Sequence, residues 1–410
     1  MGGRCHDGVV APTSEEFQEA WPRIVRALAA WTGSLDDAEE YAAEAVSRAV
    51  THHDVDDLAA WCVSVAKRAW IDDHRRRDVF TRRMPELAPD ESTAAMDEDD
   101  LPEGLDDRLA LLFVACDDAL GPGASMVLAL RVVCGLSVAE IATHLGIDAA
   151  TAAARLTRAK KALAAARGEF RVPTVEERAA RLPVVLDCVA GMFTVAHRVG
   201  FDPPDALADT GGQALSIADA LVATFPAETE VHGLRAVIRL GLARRPGRVD
   251  EEGVALTLEE MDRSRWDQRL VRAGLADATY AASGDGRFAL ESAISGLHTV
   301  APTFADTDWP RIADLYVALE QRWPSPAVHV ALLVARSRAS GPVEDRVTIE
   351  RELDRVAADG PSFARRDALF ALADLRWRSG RTSEAAVLYA DLLETVTSEP
   401  VRRFCLRRMG

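Results

Sequence analysis

LSVAEIATHLGIDAATAAARLTRAKKAL, Leu136 to Leu163, reads as two helices joined by a tight turn. Ile141, Leu145 and Ile147 put apolar side chains where the first helix and its turn must be covered. Ala142 keeps the helix crossing narrow, and Gly146 supplies the turn. Ser137 and Glu140 stand three apart as a capping box, and Asp148 can cap the second helix. On that helix Ala152 and Leu156 face inward at i and i+4. Arg155, Arg158, Lys160 and Lys161 are thereby set outward, where cations suit phosphates and base edges. The pattern is a helix-turn-helix; its bland alternative is a helical hairpin with a solvated basic face. Ala149, Ala150, Ala153 and Ala154 leave direct base readout to Thr151 and Arg155.

This basic module sits in an acidic chain. Against 48 Lys and Arg stand 65 Asp and Glu, a net charge of -17 over 410 residues. Spread evenly, such a charge would repel nucleic acid, so its distribution matters more than its sum. A hydrophobic fraction of 48% permits packed cores and argues against disorder along most of the length. Arg131 interrupts the most apolar run, Met126 to Leu136, so no membrane span is predicted. The start, Met1 to His6, lacks an apolar signal core, and a cytoplasmic protein is expected. Six cysteines lie far apart without a C-x-x-C pair, which suggests buried thiols rather than disulfides or zinc. Gly-rich phosphate loops and a G-x-S-x-G elbow are missing, and His52-His53 lacks helical metal-ligand spacing. No catalysis, cofactor or metal is therefore expected.

Working outward, Met84 to Asp107 combines ten carboxylates with Pro85, Pro89 and Pro102 and reads as an extended acidic linker over 84–107. Helical segments flank it, over 14–83 and 108–172. Residues 173–410 are Ala/Leu-rich and broken by Pro and Gly every few tens of residues, as in stacked helical hairpins. Strand signals are scarce, so the fold class is all-α. Capping boxes at Thr13/Glu16 and Thr174/Glu177 mark further helix starts, and Ser383 is expected to open the last long helix.

A second basic helix lies at LAAWCVSVAKRAWIDDHRRR, Leu58 to Arg77. Helical spacing puts Cys62, Val65, Ala66 and Ala69 on one face and Ser64, Lys67, Arg68 and Arg75 on the other. Arg76 adds to the charge, and Trp61 offers a surface for unpaired bases, with Trp70 the weaker candidate. Upstream, Asp36, Asp37, Glu39, Glu40 and Glu44 form an acidic cluster that is either a solvated face or a dock for a basic partner.

In order and spacing these stretches resemble the extracytoplasmic-function (ECF) class of bacterial RNA polymerase sigma factors. DDAEEYAAEAVSRAV, Asp36 to Val50, is similar to the polymerase-binding part of region 2, and Ala59 to Arg77 to its promoter-contacting part. Leu136 to Leu163 resembles the DNA-reading part of region 4. Farther on, RRPGRVDEEG (Arg244 to Gly253), MDRSRWDQ (Met261 to Gln268) and Leu372 to Glu394 resemble a subgroup with a long, tetratricopeptide-like extension. The resemblance implies two small sigma-type domains, the second a helix-turn-helix, before an α-helical repeat domain.

What it implies for function is a protein with two partners, core RNA polymerase and promoter DNA, and a possible protein partner on the repeats. Asp36, Glu39, Glu40 and Glu44 would face polymerase. Trp61, Lys67, Arg68, Arg75 and Arg76 would engage the −10 element. Thr151, Arg155, Arg158, Lys160 and Lys161 would meet the −35 element. The chain departs from the pattern at Ala43 and Ala154, where Gln is usual, at Val46, where an aromatic is usual, and at Thr194 to His197. The alternative is a helical-repeat adaptor or DNA-binding regulator that no longer binds polymerase. For Arg263, Arg265, Trp266 and Asp267, and for Asp306, Asp308 and Trp309, inter-helix ion pairs and N-caps are preferred over a ligand site.

Overall fold

Thr13 and Glu16 exchange hydrogen bonds with each other's backbone amides and open the first helix, the pairing their spacing predicts. The computed structural model describes residues 13–50, 57–81, 105–199, 209–339 and 343–410. Among them regular structure is helical throughout, with one isolated bridge, Val249 to Ala255, and no strand. The acidic linker up to residue 104 and His52-His53 lie outside the described residues.

The chain divides into two compact units, Met1–Ala196 with Pro203–Ala220, and His197–Asp202 with Leu221–Gly410. The first holds α1 (Ser14–Thr32), α2 (Leu35–Ala49), α3 (Leu58–Thr81), α4 (Asp107–Ala115), α5 (Pro122–Val132), α6 (Val138–Leu145), α7 (Ala149–Arg167) and most of α8 (Val175–Val199). Helices α1 to α3 pack mutually. Ile24, Val25 and Leu28 of α1 are buried together with the alanines Ala38, Ala42 and Ala45 of α2, whose small side chains let the helices approach. Helix α4 is buried from Leu109 to Ala115, as its unbroken apolar run requires.

The division falls past the boundary that composition suggests at 173, because a buried charge anchors α8. Arg181 donates to the Phe113 carbonyl at 3.1 Å and pairs with Asp117 at 2.7 Å. Asp117 also takes Arg167 from the end of α7. A buried arginine of this kind is held only by acceptors fixed in place, and those acceptors belong to the first unit.

Helix α9 (Thr210–Thr224) crosses the division. The second unit then runs α10 (Thr229–Ala243), α11 (Gln268–Ala281), α12 (Arg287–Val300), α13 (Trp309–Arg322), α14 (Pro326–Arg338), α15 (Val343–Asp359), α16 (Ser362–Arg378), α17 (Thr382–Thr395) and α18 (Glu399–Met409). Each helix packs on the next. Gly233 is required where α10 meets α12, since a Cβ there would lie 2.6 Å from the Phe288 backbone. Asp267 and Asp308 cap α11 and α13, as their positions suggest. Ser383 does not open α17; it sits within the first turn, after an N-cap at Arg381.

Candidate nucleic-acid interface

The helix-turn-helix forms as its local chemistry dictates. Ser137 N–H donates to Glu140 Oε2 at 2.7 Å, and Glu140 N–H donates to Ser137 Oγ at 3.2 Å. Gly146, at φ 63°, ends α6 in the left-handed conformation that a Cβ would strain. Asp148 then accepts from Thr151 N–H at 2.7 Å and starts α7. Ile141, Ala142, Ala152 and Leu156 are buried, while Leu145 and Ile147 are half-buried.

Four of the five α7 residues expected on DNA stay at or near the surface. Arg158 and Lys161 are exposed, and Thr151 and Arg155 are half-buried. The Thr151 hydroxyl donates to Asp148 Oδ2 at 2.6 Å, so it serves the helix start as well. On α3, Cys62 and Ala66 are buried while Arg68, Arg75 and Arg76 are exposed, the division that helical spacing predicts. Lys67 lies over the Trp31 ring at 5.6 Å, and Trp61 is half-buried. Trp70 is half-buried and engaged by its neighbours: Trp31 meets it edge-on at 4.7 Å, His74 stacks at 3.6 Å, and its N–H reaches Asp37 at 3.4 Å.

Lys160 departs from its expected place. Instead of facing outward, its ammonium donates to Asp36 at 2.7 Å and to Glu39 at 2.5 Å. Arg131 closes on the same Glu39 through Nε at 2.7 Å. Glu39, expected to face a partner, is therefore 7% exposed and held between a cation of α5 and a cation of α7. Asp36, Glu40 and Glu44 remain exposed, Glu44 paired along its own helix with Arg48.

Burial pushes the Glu39 carboxyl upward, yet its hydrogen bonds and charge contacts with Arg131 and Lys160 leave it below the ordinary carboxylate value. Burial likewise disfavours the Lys160 charge, and the bonds to Asp36 and Glu39 overcome it, so Lys160 is held above its usual value. Both shifts favour the ion-paired form near neutral pH.

Further contacts line the same seam. The Trp21 indole N–H donates to the Val132 carbonyl at 3.1 Å, and its ring lies against Gly135. Arg26, 3% exposed, reaches Asp107 at 2.7 Å and the Leu105 carbonyl at 2.8 Å. Phe170 N–H donates to the Gly33 carbonyl at 2.8 Å. Sequence reasoning missed Trp21, Arg26 and Arg131 as site residues. Arg131 left one signal, a lone charge inside an apolar run, which demands a buried partner.

Residues 113–163, from the end of α4 through most of α7, match the family described as sigma-70, region 4. Residues 181–282 match a family of unknown function, DUF6596. An uncharacterized protein of Rhizobium meliloti, R00370, is 35% identical over 337 residues, 79% of each chain. The chain belongs to the same family as that protein. A probable ECF RNA polymerase sigma factor of Mycobacterium tuberculosis, SigI, is 27% identical over 165 residues, 39% of this chain and 57% of its own. No solved structure matches. The region 4 match and the likeness to SigI support a sigma-factor-like front segment, and the region 4 match falls on the segment whose caps, turn and outward cations form the helix-turn-helix. Among the described residues no group of His, Cys, Asp and Glu could hold a metal, and no helix is long and apolar enough to cross a membrane.

Proposed function

We propose that the protein is a sigma factor that binds core RNA polymerase and directs it to promoter DNA. The observation that carries this reading is the coincidence of the region 4 match with a capped helix-turn-helix presenting Arg155, Arg158 and Lys161. In this reading residues 14–83 act as region 2, 84–107 as linker, 108–172 as region 4, and 173–410 as a tetratricopeptide-like extension. Arg68, Arg75 and Arg76, with Trp61 and Lys67 beside them, engage the −10 element. Thr151, Arg155, Arg158 and Lys161 engage the −35 element. Asp36, Glu40 and Glu44 offer polymerase an entry point.

The Glu39–Lys160 pair favours a further statement. A carboxylate of the polymerase-facing helix and a cation of the DNA-facing helix neutralise each other, so the described arrangement withholds both. Engagement of polymerase then requires these two segments to part, and the extension regulates or stabilises the parted state.

Co-elution of the full-length protein with purified bacterial core RNA polymerase tests the reading. Stoichiometric binding is expected, retained by an Arg68→Ala/Arg155→Ala variant, whose losses lie on the DNA side. A folded protein that does not bind would overturn it in favour of a helical-repeat adaptor.

A further inference from the structure

Two clefts adjoin in the second unit. The larger, about 480 Å³, is walled by Trp309 and Tyr316 of α13, Ala331 of α14, Phe370 of α16 and Tyr389 of α17. The smaller, about 320 Å³, has Arg244 in its wall. Thr257, Leu258 and Phe404 line both. The combined size suits a small organic molecule.

The polar groups around this space are unevenly matched. Arg338, on the larger cleft, pairs with Glu259 at 2.8 Å and Asp374 at 3.1 Å. Arg244 has no such carboxylate among the described residues, and its Nε–H is shut from solvent without an acceptor. Its guanidinium lies 5.8 Å from the Trp266 ring, which Arg263 approaches at 4.8 Å. Arg263 donates to the His298 carbonyl at 2.6 Å but keeps Nη2 unpaired, and the 4% exposed Trp266 keeps its N–H unpaired. Two cations and three N–H donors thus gather with no carboxylate bonded to any of them; Asp306 acts on the Arg263 charge only through space. A shared indole face offsets only part of the cost of desolvating two guanidinium groups.

The neighbours of Arg244 respond to that charge. Burial, then Arg244 and Arg263, hold His298 down to about 4, so its ring is neutral near pH 7, and its Nδ1 is buried without a partner. Burial pushes the Tyr316 hydroxyl up to about 12. A neutral imidazole and two neutral hydroxyls, Tyr316 and the unpaired Tyr389, therefore border the larger cleft together with Glu259, Asp367 and Asp374, while Arg244 and Arg248 stand in the wall of the smaller one, where Arg244 has no carboxylate partner.

We infer that these adjoining clefts bind a small amphipathic carboxylate, its anionic group on Arg244 and its ring or branched body in the aromatic cavity. Caps explain Asp267 and Asp308, but they leave the arginines beside Trp266 unexplained; an anion accounts for them. Such a ligand gives the repeat unit a chemical input whether or not the front of the chain binds polymerase.

The test is calorimetric titration of the full-length protein with sodium naphthoate, and with naphthylmethanol, which has the same body without the charge. Saturable naphthoate binding is expected, weaker by about tenfold or more for the alcohol, for Arg244→Gln and for Ala331→Phe, which fills the cavity. Both variants should melt near the wild type. If Arg244→Gln does not fold, the alcohol and Ala331→Phe decide alone. The His298 ring, followed by NMR, should titrate higher with naphthoate bound, because the carboxylate cancels the positive charge that depresses it. No saturable binding at millimolar naphthoate overturns the inference. So does equal affinity for acid and alcohol, or indifference to Ala331→Phe.

Discussion

Two clusters of half-sequestered charge, one in each unit, are built on opposite rules. In the first, Glu39 meets Arg131 and Lys160, and Lys160 also meets Asp36, so every charge has an opposite neighbour. In the second, Arg244 and Arg263 crowd one indole, with no carboxylate bonded to either. A closed cluster holds its own molecule together, because removing one member strands the others away from water. An open cluster is completed by something else. The contrast assigns the first to internal cohesion and the second to recognition.

The largest effect expected from breaking this contrast is at Glu39. Glu39→Gln should lower the stability of the first unit by about 3 kcal/mol, since Arg131 and Lys160 lose their shared counter-charge. Urea unfolding followed by a probe in that unit measures it; a loss within error of zero would mean the cluster is effectively solvated. The same pair of proteins gives a pH test. Glu39 is depressed in the folded state, so its contribution is complete above the ordinary carboxylate value and vanishes as pH falls through the folded one. Lys160 is raised, so its share is complete below its ordinary value and fades only as strong alkali passes the folded one. Wild type and Glu39→Gln should therefore differ most between about pH 5 and pH 10 and converge in acid.

A smaller effect should follow from loosening the lock while leaving Glu39 in place. Lys160→Ala frees Asp36 and weakens the hold on Glu39, and should raise affinity for core polymerase several-fold, roughly 1 kcal/mol. Unchanged or reduced affinity would remove the withholding role of the pair. On DNA the ranking of the basic residues becomes a test of placement. Arg158→Ala should reduce the salt dependence of promoter-fragment binding by about one unit of slope, while Lys160→Ala, already neutralised, should change it less. Equal losses would place both on phosphates.

The smallest effect belongs to the open cluster. Arg244→Met should leave thermal stability within about 1 kcal/mol of wild type, or raise it, because the side chain leaves no ion pair behind. A loss as large as that at Glu39 would show that Arg244 has an internal partner after all, and would erase the contrast.

Much of the fold is legible in the sequence. The capping boxes at Thr13/Glu16, Ser137/Glu140 and Thr174/Glu177 are all present, because a cap needs only residues three apart. The two faces of α3 also divide as spacing predicts, with Cys62 and Ala66 inside and Arg68 and Arg75 outside. The site was less legible. Lys160 looks like its neighbours Arg158 and Lys161 on a helical wheel, yet a carboxylate 121 positions earlier captures it. Nothing in local periodicity encodes a partner that distant. Arg131 carried a hint, a charge in an apolar run, but not the identity of Glu39.

The sequence by itself determined the helices, the turn at Gly146, the caps and the concentration of positive charge on α3 and α7. These depend on interactions within a few residues, and their chemistry is fixed wherever the chain goes. Tertiary structure alone decided which charges face water and which face each other. It placed Glu39 between Arg131 and Lys160, tied Arg181 to Asp117, and set Arg244 beside Arg263 with no carboxylate bonded to either. The physical reason is that an ion's energy depends on its desolvation and its nearest opposite charge, and both are set by packing rather than by position along the chain.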